Sequence, residues 1–213
     1  MKLKVTFLLD PKNSWIKNQL TSYKFNLNKK YLFKISNNYK RVKKQDIVFA
    51  VSYTKILSQK FLKLNKLVLI PHCSKLPKDR GFSPIQYQIL KKKKIFHISL
   101  IKAVKLVDAG PICLQSSFKL DGTELYDQIR KIQGKEILKI ITKFLKKYPK
   151  IKFKKQVGKS NFNKKRIIMD NELDVNKTIK DQFNHLRINN NELYPSFFYL
   201  KKKKFILKIF KSE

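Results

Sequence analysis

Two short loops carry side chains able to do proton and acyl-group chemistry together. The first runs Pro71-His72-Cys73-Ser74-Lys75-Leu76-Pro77-Lys78-Asp79-Arg80-Gly81, and the second Val107-Asp108-Ala109-Gly110-Pro111. An imidazole and a carboxylate brought within reach of one another can take a proton from an attacking amine and steady the charge that results. Of the three histidines, His72 alone follows a strand-like run at the place where an α/β sheet presents ligands, beyond the carboxyl ends of its strands. By itself, a lone histidine there is also a common packing residue, and an aspartate beside a glycine is also a turn residue. Cys73 and Cys113 read as small buried hydrophobes rather than nucleophiles. Two cysteines make neither a disulfide framework nor a CxxC metal site. Only five glycines occur, none spaced as a dinucleotide fingerprint or phosphate loop, which argues against a nucleotide held in a glycine-rich cradle.

The elements that must position these loops alternate in type. Leu3–Leu9, Tyr31–Ile35, Asp46–Tyr53, Leu67–Ile70, Ile95–Ile101 and Ile112–Phe118 read as strands, the fourth stopped by Pro71. Asp10-Pro11 turns the chain into a segment capped by Asn13 or Ser14. Ser83-Pro84 opens a helix through Leu90, since proline is favoured in a first helical turn. Asp121-Gly122-Thr123 starts a longer helical stretch, with a break expected at Gly134 and a core face of Ile137, Ile140, Ile141, Phe144 and Leu145. This alternation predicts an α/β fold with a largely parallel central sheet over residues 1–150. Residues 151–165, basic and poor in apolar side chains, read as a linker to a small extension, 166–213. There, Phe197–Leu200 and Phe205–Phe210 predict a β-hairpin turning at Lys201–Lys204, and Lys91–Lys94 reads as a second solvated turn.

The chain of 213 residues has 50 Lys plus Arg against 14 Asp plus Glu, a formal charge of +36. A field of that size concentrates anions. Only five of the basic residues are arginine, at positions 41, 80, 130, 166 and 187, whereas nucleic-acid readers favour arginine for bidentate contacts. Together with abundant Ile and Asn, the lysines read as compositional drift, and nucleic acid is not the expected partner. Apolar stretches such as Ile47–Val51 fall far short of the ~18 residues of a spanning helix. Met1-Lys2-Leu3-Lys4 does not open a signal peptide. A cytoplasmic protein without a membrane partner is the expectation.

The stretch I-P-H-C-S-K-L-P-K-D-R-G-F-S-P (70–84), followed by F-H-I-S-L (96–100) and V-D-A-G-P-I-C-L-Q (107–115), resembles the folate-dependent formyltransferases. These include methionyl-tRNA formyltransferase, glycinamide ribonucleotide formyltransferase and the sugar N-formyltransferases. The resemblance runs from about Asp46 to Gln115 and implies a Rossmann-like formyltransferase domain that uses 10-formyltetrahydrofolate as donor and no metal. On it, His72 stabilises the tetrahedral oxyanion or relays the amine's proton, and Asp108 tunes the histidine. The family's asparagine two positions before the histidine is Ile70 here, which cannot donate, and Ser52 is the candidate replacement. Lys55 and Leu57, in S-Y-T-K-I-L (52–57), and Val104, Lys105 and Asp108 match positions around the family's pterin pocket.

Three features resemble the sugar branch. They are the Asp10-Pro11-Lys12-Asn13-Ser14-Trp15 start, the absence of room for a second barrel domain, and the C-terminal E-L-D-V-N-K-T-I-K-D-Q-F-N-H-L-R-I (172–188) and N-E-L-Y-P-S-F-F (191–198). The acceptor so implied is an amino sugar of a surface-polysaccharide pathway, nucleotide-linked or otherwise phosphorylated, or a nonulosonic acid precursor. Lys78 and Arg80 are then candidate ligands of its phosphates. Methionyl-tRNA or glycinamide ribonucleotide formylation, a non-catalytic RNA-binding relative and a homodimer stay open.

Overall fold

The computed structural model describes residues 2–13 and 15–212, so Ser14 lies outside the described residues. Along the chain come β1 (Leu3–Leu9), α1 (Lys17–Ser22), β2 (Tyr31–Ser36), β3 (Ile47–Val51), α2 (Gln59–Leu64), β4 (Val68–His72), β5 (Arg80–Gly81) and α3 (Pro84–Leu90). They are followed by β6 (Ile95–Lys102), β7 (Ile112–Lys119), α4 (Tyr126–Lys147), β8 (Phe162–Asn163), α5 (Ile179–Arg187), β9 (Ser196–Leu200) and β10 (Lys203–Leu207). The central sheet has the order β2-β1-β3-β4-β6-β7. β2, β1, β3 and β4 pair in parallel, and β6 runs antiparallel to both of its neighbours. Five of the six strands therefore point one way. β3 is buried at all five positions, as a strand covered on both faces must be.

Local differences from the sequence reading have physical causes. β4 continues through Pro71 to His72, because its ladder to β3 registers only Val68 and Leu69 and the proline interrupts no further pair on that side. Asn13 does not cap α1; Ile16 holds the N-cap position, and the Asn13 N–H closes a turn onto the Asp10 carbonyl. Asp121-Gly122-Thr123 is a turn held by the Glu124 carboxylate, so α4 starts only at Tyr126. Gly134 does not break α4. A β-carbon there would sit 2.5 Å from Gln19 Oε1, and the glycine lets α1 lie close against the helix.

The hairpin forms, with β9 antiparallel to β10, but its turn is Lys201 and Lys202 alone, both left-handed, with Lys203 and Lys204 in β10. Lys91–Lys94 is not simply a solvated turn: Lys91 and Lys93 reach the buried Asp79 carboxylate at 3.0 and 3.3 Å. The segment 151–165 is stitched to the body rather than loose, by the Ile112–Lys154 bridge and by β8 pairing with β5. The residues after it dock through Arg187, which meets Glu124 at 3.4 Å. No helix of the described residues is long and apolar enough to cross a membrane.

Candidate active site

β4 sets the direction of the site. Val68 and Ile70 belong to a core cluster with Leu8, Val48 and Ala103, whereas Leu69 and Cys73 belong to another with Phe49, Phe96 and Ile137. Strand alternation thus sends His72 to the first face and Cys73 to the second. β6 runs against β4 with Lys102 opposite Leu69 and Ser99 opposite His72. The following loop therefore starts upstream of the histidine and doubles back, which carries Asp108 to it. Gly110 makes the fold-back possible: a β-carbon at this position would lie 1.7 Å from the Lys102 carbonyl oxygen.

His72 Nδ1 lies 3.4 Å from Asp108 Oδ2, with the two side chains only 7% and 10% exposed. The other ring nitrogen, Nε2, lies 2.7 Å from the Asp79 carbonyl oxygen. A carbonyl only accepts, so Nε2 carries a hydrogen and Nδ1 is the nitrogen free to exchange a proton. Asp108 Oδ2 also accepts from the Gly81 N–H at 2.9 Å. Gly81 has φ +87, and a β-carbon there would meet the Asn163 carbonyl oxygen at 2.5 Å, so this donor needs glycine. The serine of the H-x-S pattern is a fastener: Ser74 Oγ donates to the Lys78 carbonyl at 2.6 Å.

Two supports had no signal in the sequence. Asp79, whose carbonyl orients His72, has its carboxylate bonded by Lys91, Lys93 and Asn161. Burial pushes that carboxyl up, but these three partners outweigh it and hold it below the usual carboxylate range. Gln156, from the segment read as a linker, donates to the carbonyls of Asp108 at 2.7 Å and Gly110 at 2.8 Å and accepts from Arg80 Nη2 at 2.6 Å. A further carboxylate, Asp10, bonds Thr54 through both its N–H and its hydroxyl and so fixes the turn after β3. Burial raises the Asp10 carboxyl, yet the bonds from Thr54 and Lys12 keep it below its ordinary value.

A cavity of about 550 Å³ opens over this pair. His72, Asp108, Ser52, Lys55, Leu57, Val104 and Lys105 all line it, as does Ile70. Lys78 and Arg80 do not; Lys78 is exposed, and Arg80 is turned onto Gln156. Ser52 stands at the end of β3 with φ 51. Burial pushes the Cys73 thiol up to about 11 and that of Cys113 to about 12, so both stay neutral and neither is a ready nucleophile. Among the described residues no three His, Cys, Asp or Glu come together as metal ligands.

The formyl transferase family model matches residues 6–143, well over half of the chain and all of the elements that carry this pair. The chain belongs to the formyl transferase family. A methionyl-tRNA formyltransferase of Thermotoga maritima is 38% identical over 103 residues, 48% of this chain and 33% of that protein. The match therefore spans about a third of the curated relative. Among solved structures, a methionyl-tRNA formyltransferase from Clostridium thermocellum superposes with TM-score 0.82 at 20% identity, over 99% of this chain and 94% of that one. A sugar N-formyltransferase from Shewanella sp FDAARGOS_354 gives 0.72 at 15% identity over 97% of each chain. HypX from Aquifex aeolicus in complex with tetrahydrofolic acid gives 0.69 at 16% identity, over 98% of this chain and 38% of that one. At these identities the structures speak for the fold.

Proposed function

We propose that this chain transfers a formyl group from 10-formyltetrahydrofolate to the amino group of an amino sugar that is phosphorylated or nucleotide-linked. The observation that carries the reading is the His72–Asp108 pair, fixed by backbone groups on one wall of the cavity with only Nδ1 left to exchange a proton. The cavity wall on the His72 face suits the donor. Ile56 and Leu106, 79% and 71% exposed, with Leu57, Val104 and Val107 form an apolar strip for a flat heterocycle beside the polar backbone of two loops. Lys55 and Lys105 add ammonium groups for an anionic tail.

When bound, the donor supplies the formyl group and the residues do the rest. His72 Nδ1 takes the proton that the amine sheds on attack and gives it to the donor nitrogen that is released as its bond to the formyl carbon breaks. In between, Asp108 balances the positive charge on the ring. The Gly81 N–H keeps the carboxylate aimed. Ser52 is the side chain proposed to replace the missing asparagine at 70 as hydrogen-bond donor to the formyl oxygen. Ser52→Ala should then lower kcat with little change in donor affinity, and Ile70→Asn in that background should restore it. Equal rates in Ser52→Ala and the parent would remove Ser52 from the mechanism.

The Asp10-to-Trp15 start and the C-terminal pattern support the sugar acceptor. The 38% identity with a methionyl-tRNA formyltransferase favours a second reading, initiator tRNA as acceptor. The two separate in one experiment: 10-formyltetrahydrofolate is supplied with a panel of amino-sugar nucleotides and with aminoacylated tRNA, and a mass gain of one formyl group is sought. A formylated sugar supports the first reading, and formylated Met-tRNA alone overturns it.

A further inference from the structure

The cavity does not end at the His72 face. It passes over the carboxyl edge of β4 to the opposite face, where Trp15, Gln86, Arg130 and Gln133 line it. There, Gln133 Nε2 donates to the Sγ of Cys73, the residue next to His72, at 3.1 Å. Arg130 Nη1 donates to Gln133 Oε1 at 2.9 Å, so the guanidinium is tied by one side chain to the catalytic strand. Gln86, with its amide turned to satisfy both neighbours, accepts from Arg130 Nη2 at 2.9 Å. The Trp15 and Tyr126 rings flank the guanidinium, with centroids 4.8 and 5.1 Å away.

Every one of these partners is neutral. Among the described residues no carboxylate pairs with Arg130, whereas Arg187 at the C-terminal dock meets Glu124. Arg130 Nε and Trp15 Nε1 are shielded from solvent without a partner. A positioned, uncompensated arginine fork with donors to spare in a cavity is built for an oxyanion, because a planar guanidinium matches carboxylate and phosphate oxygens in pairs.

Resting on the formyl-transfer reading, we propose that Arg130 is the specificity-determining anchor of the acceptor: it binds an anionic group, carboxylate or phosphate, on the molecule whose amine reaches His72 over the edge of β4. The donor occupies the His72 face, so the two reactants approach from opposite faces of the sheet.

Trp15 is the only tryptophan in the chain, so its emission reports on the Arg130 site directly. Three probes with the same amine are titrated: glucosamine, glucosamine 6-phosphate and muramic acid, which carries a carboxylate. At least one anionic probe should bind about tenfold or more tighter than glucosamine, the scale of a charge-assisted hydrogen bond. The tighter of the two identifies phosphate or carboxylate. Arg130→Gln should abolish that preference while leaving tetrahydrofolate affinity, titrated by calorimetry, and the melting temperature near the parent's. Arg130→Lys keeps the charge but not the fork, and serves if the glutamine variant does not fold; its preference should fall severalfold. Equal binding of all three probes, or a preference unchanged in either variant, overturns the proposal. A protein that discriminates the anionic probes but does not bind tetrahydrofolate overturns the formyl-transfer reading instead and leaves Arg130 as an anion site.

Discussion

The two faces of the cavity are built by different means. On the His72 face, main-chain groups do the positioning: the Asp79 carbonyl sets the imidazole, the Gly81 N–H sets Asp108, and Gln156 pins the carbonyls on either side of the turn. On the Arg130 face, side chains alone hold the guanidinium, and two shielded N–H groups are left without partners. Backbone positioning tolerates little change and suits chemistry common to a family. A site made of side chains can be rebuilt residue by residue, which suits recognition of one acceptor.

The sharpest way to break this contrast is at the pair itself. His72→Ala or Asp108→Asn should cost at least ~10²-fold in turnover, the usual scale for a positioned acid–base group, with the melting temperature near the parent's. A variant that turns over like the parent on its own acceptor would strip that residue of its role. Next comes Gly110→Ala, whose new methyl would collide with the Lys102 carbonyl and push Asp108 off His72. Denaturant melts should show a loss of about 1–3 kcal/mol, the cost of overpacking, together with a drop in kcat. Gln156→Ala removes hydrogen bonds without a clash. It should lower kcat by about tenfold, at roughly 1 kcal/mol of stability per bond lost, with acceptor KM less affected than kcat.

The smallest effect concerns Asp79. Its folded carboxyl is held below the unfolded value, so the stability it contributes is present above about pH 3.9 and is lost as pH falls through the lower folded value. The melting temperature of the parent should exceed that of Asp79→Asn by a constant margin above about pH 5. That margin should shrink in more acid solution. A margin independent of pH would mean that Lys91 and Lys93 do not act through the Asp79 charge.

The difference between the faces also decides what could be read in advance. His72 and Asp108 sit in short runs with fixed glycines and prolines, and the geometry shows why: Gly81 and Gly110 occupy places where no β-carbon fits. The strands of the sheet were legible as short apolar runs, most plainly β1 and β3, which are buried along nearly their whole length. Gln156 was hidden in a lysine-rich stretch that resembles a linker, since a single glutamine carries no pattern. Arg130 and Gln133 stand one turn apart on α4, but Trp15 comes from the segment before α1 and Gln86 from α3, so the cluster as a whole meets only through tertiary packing and no single spacing announces it. Arg80 misled for the opposite reason: a conspicuous arginine in a catalytic loop spends its guanidinium on Gln156 instead of the cavity. Gly134 misled because a helical glycine weakens a helix in isolation, whereas here it admits α1.

The most direct test is a single-turnover mixture of the protein, 10-formyltetrahydrofolate and the amino-sugar panel, read by mass spectrometry of the acceptor and run beside Asp108→Asn. The account predicts one acceptor heavier by a formyl group in the parent and at least ~10²-fold slower formation in the variant. Formylation at the same rate in both, or no transfer to any amine by a parent that binds tetrahydrofolate, would contradict it.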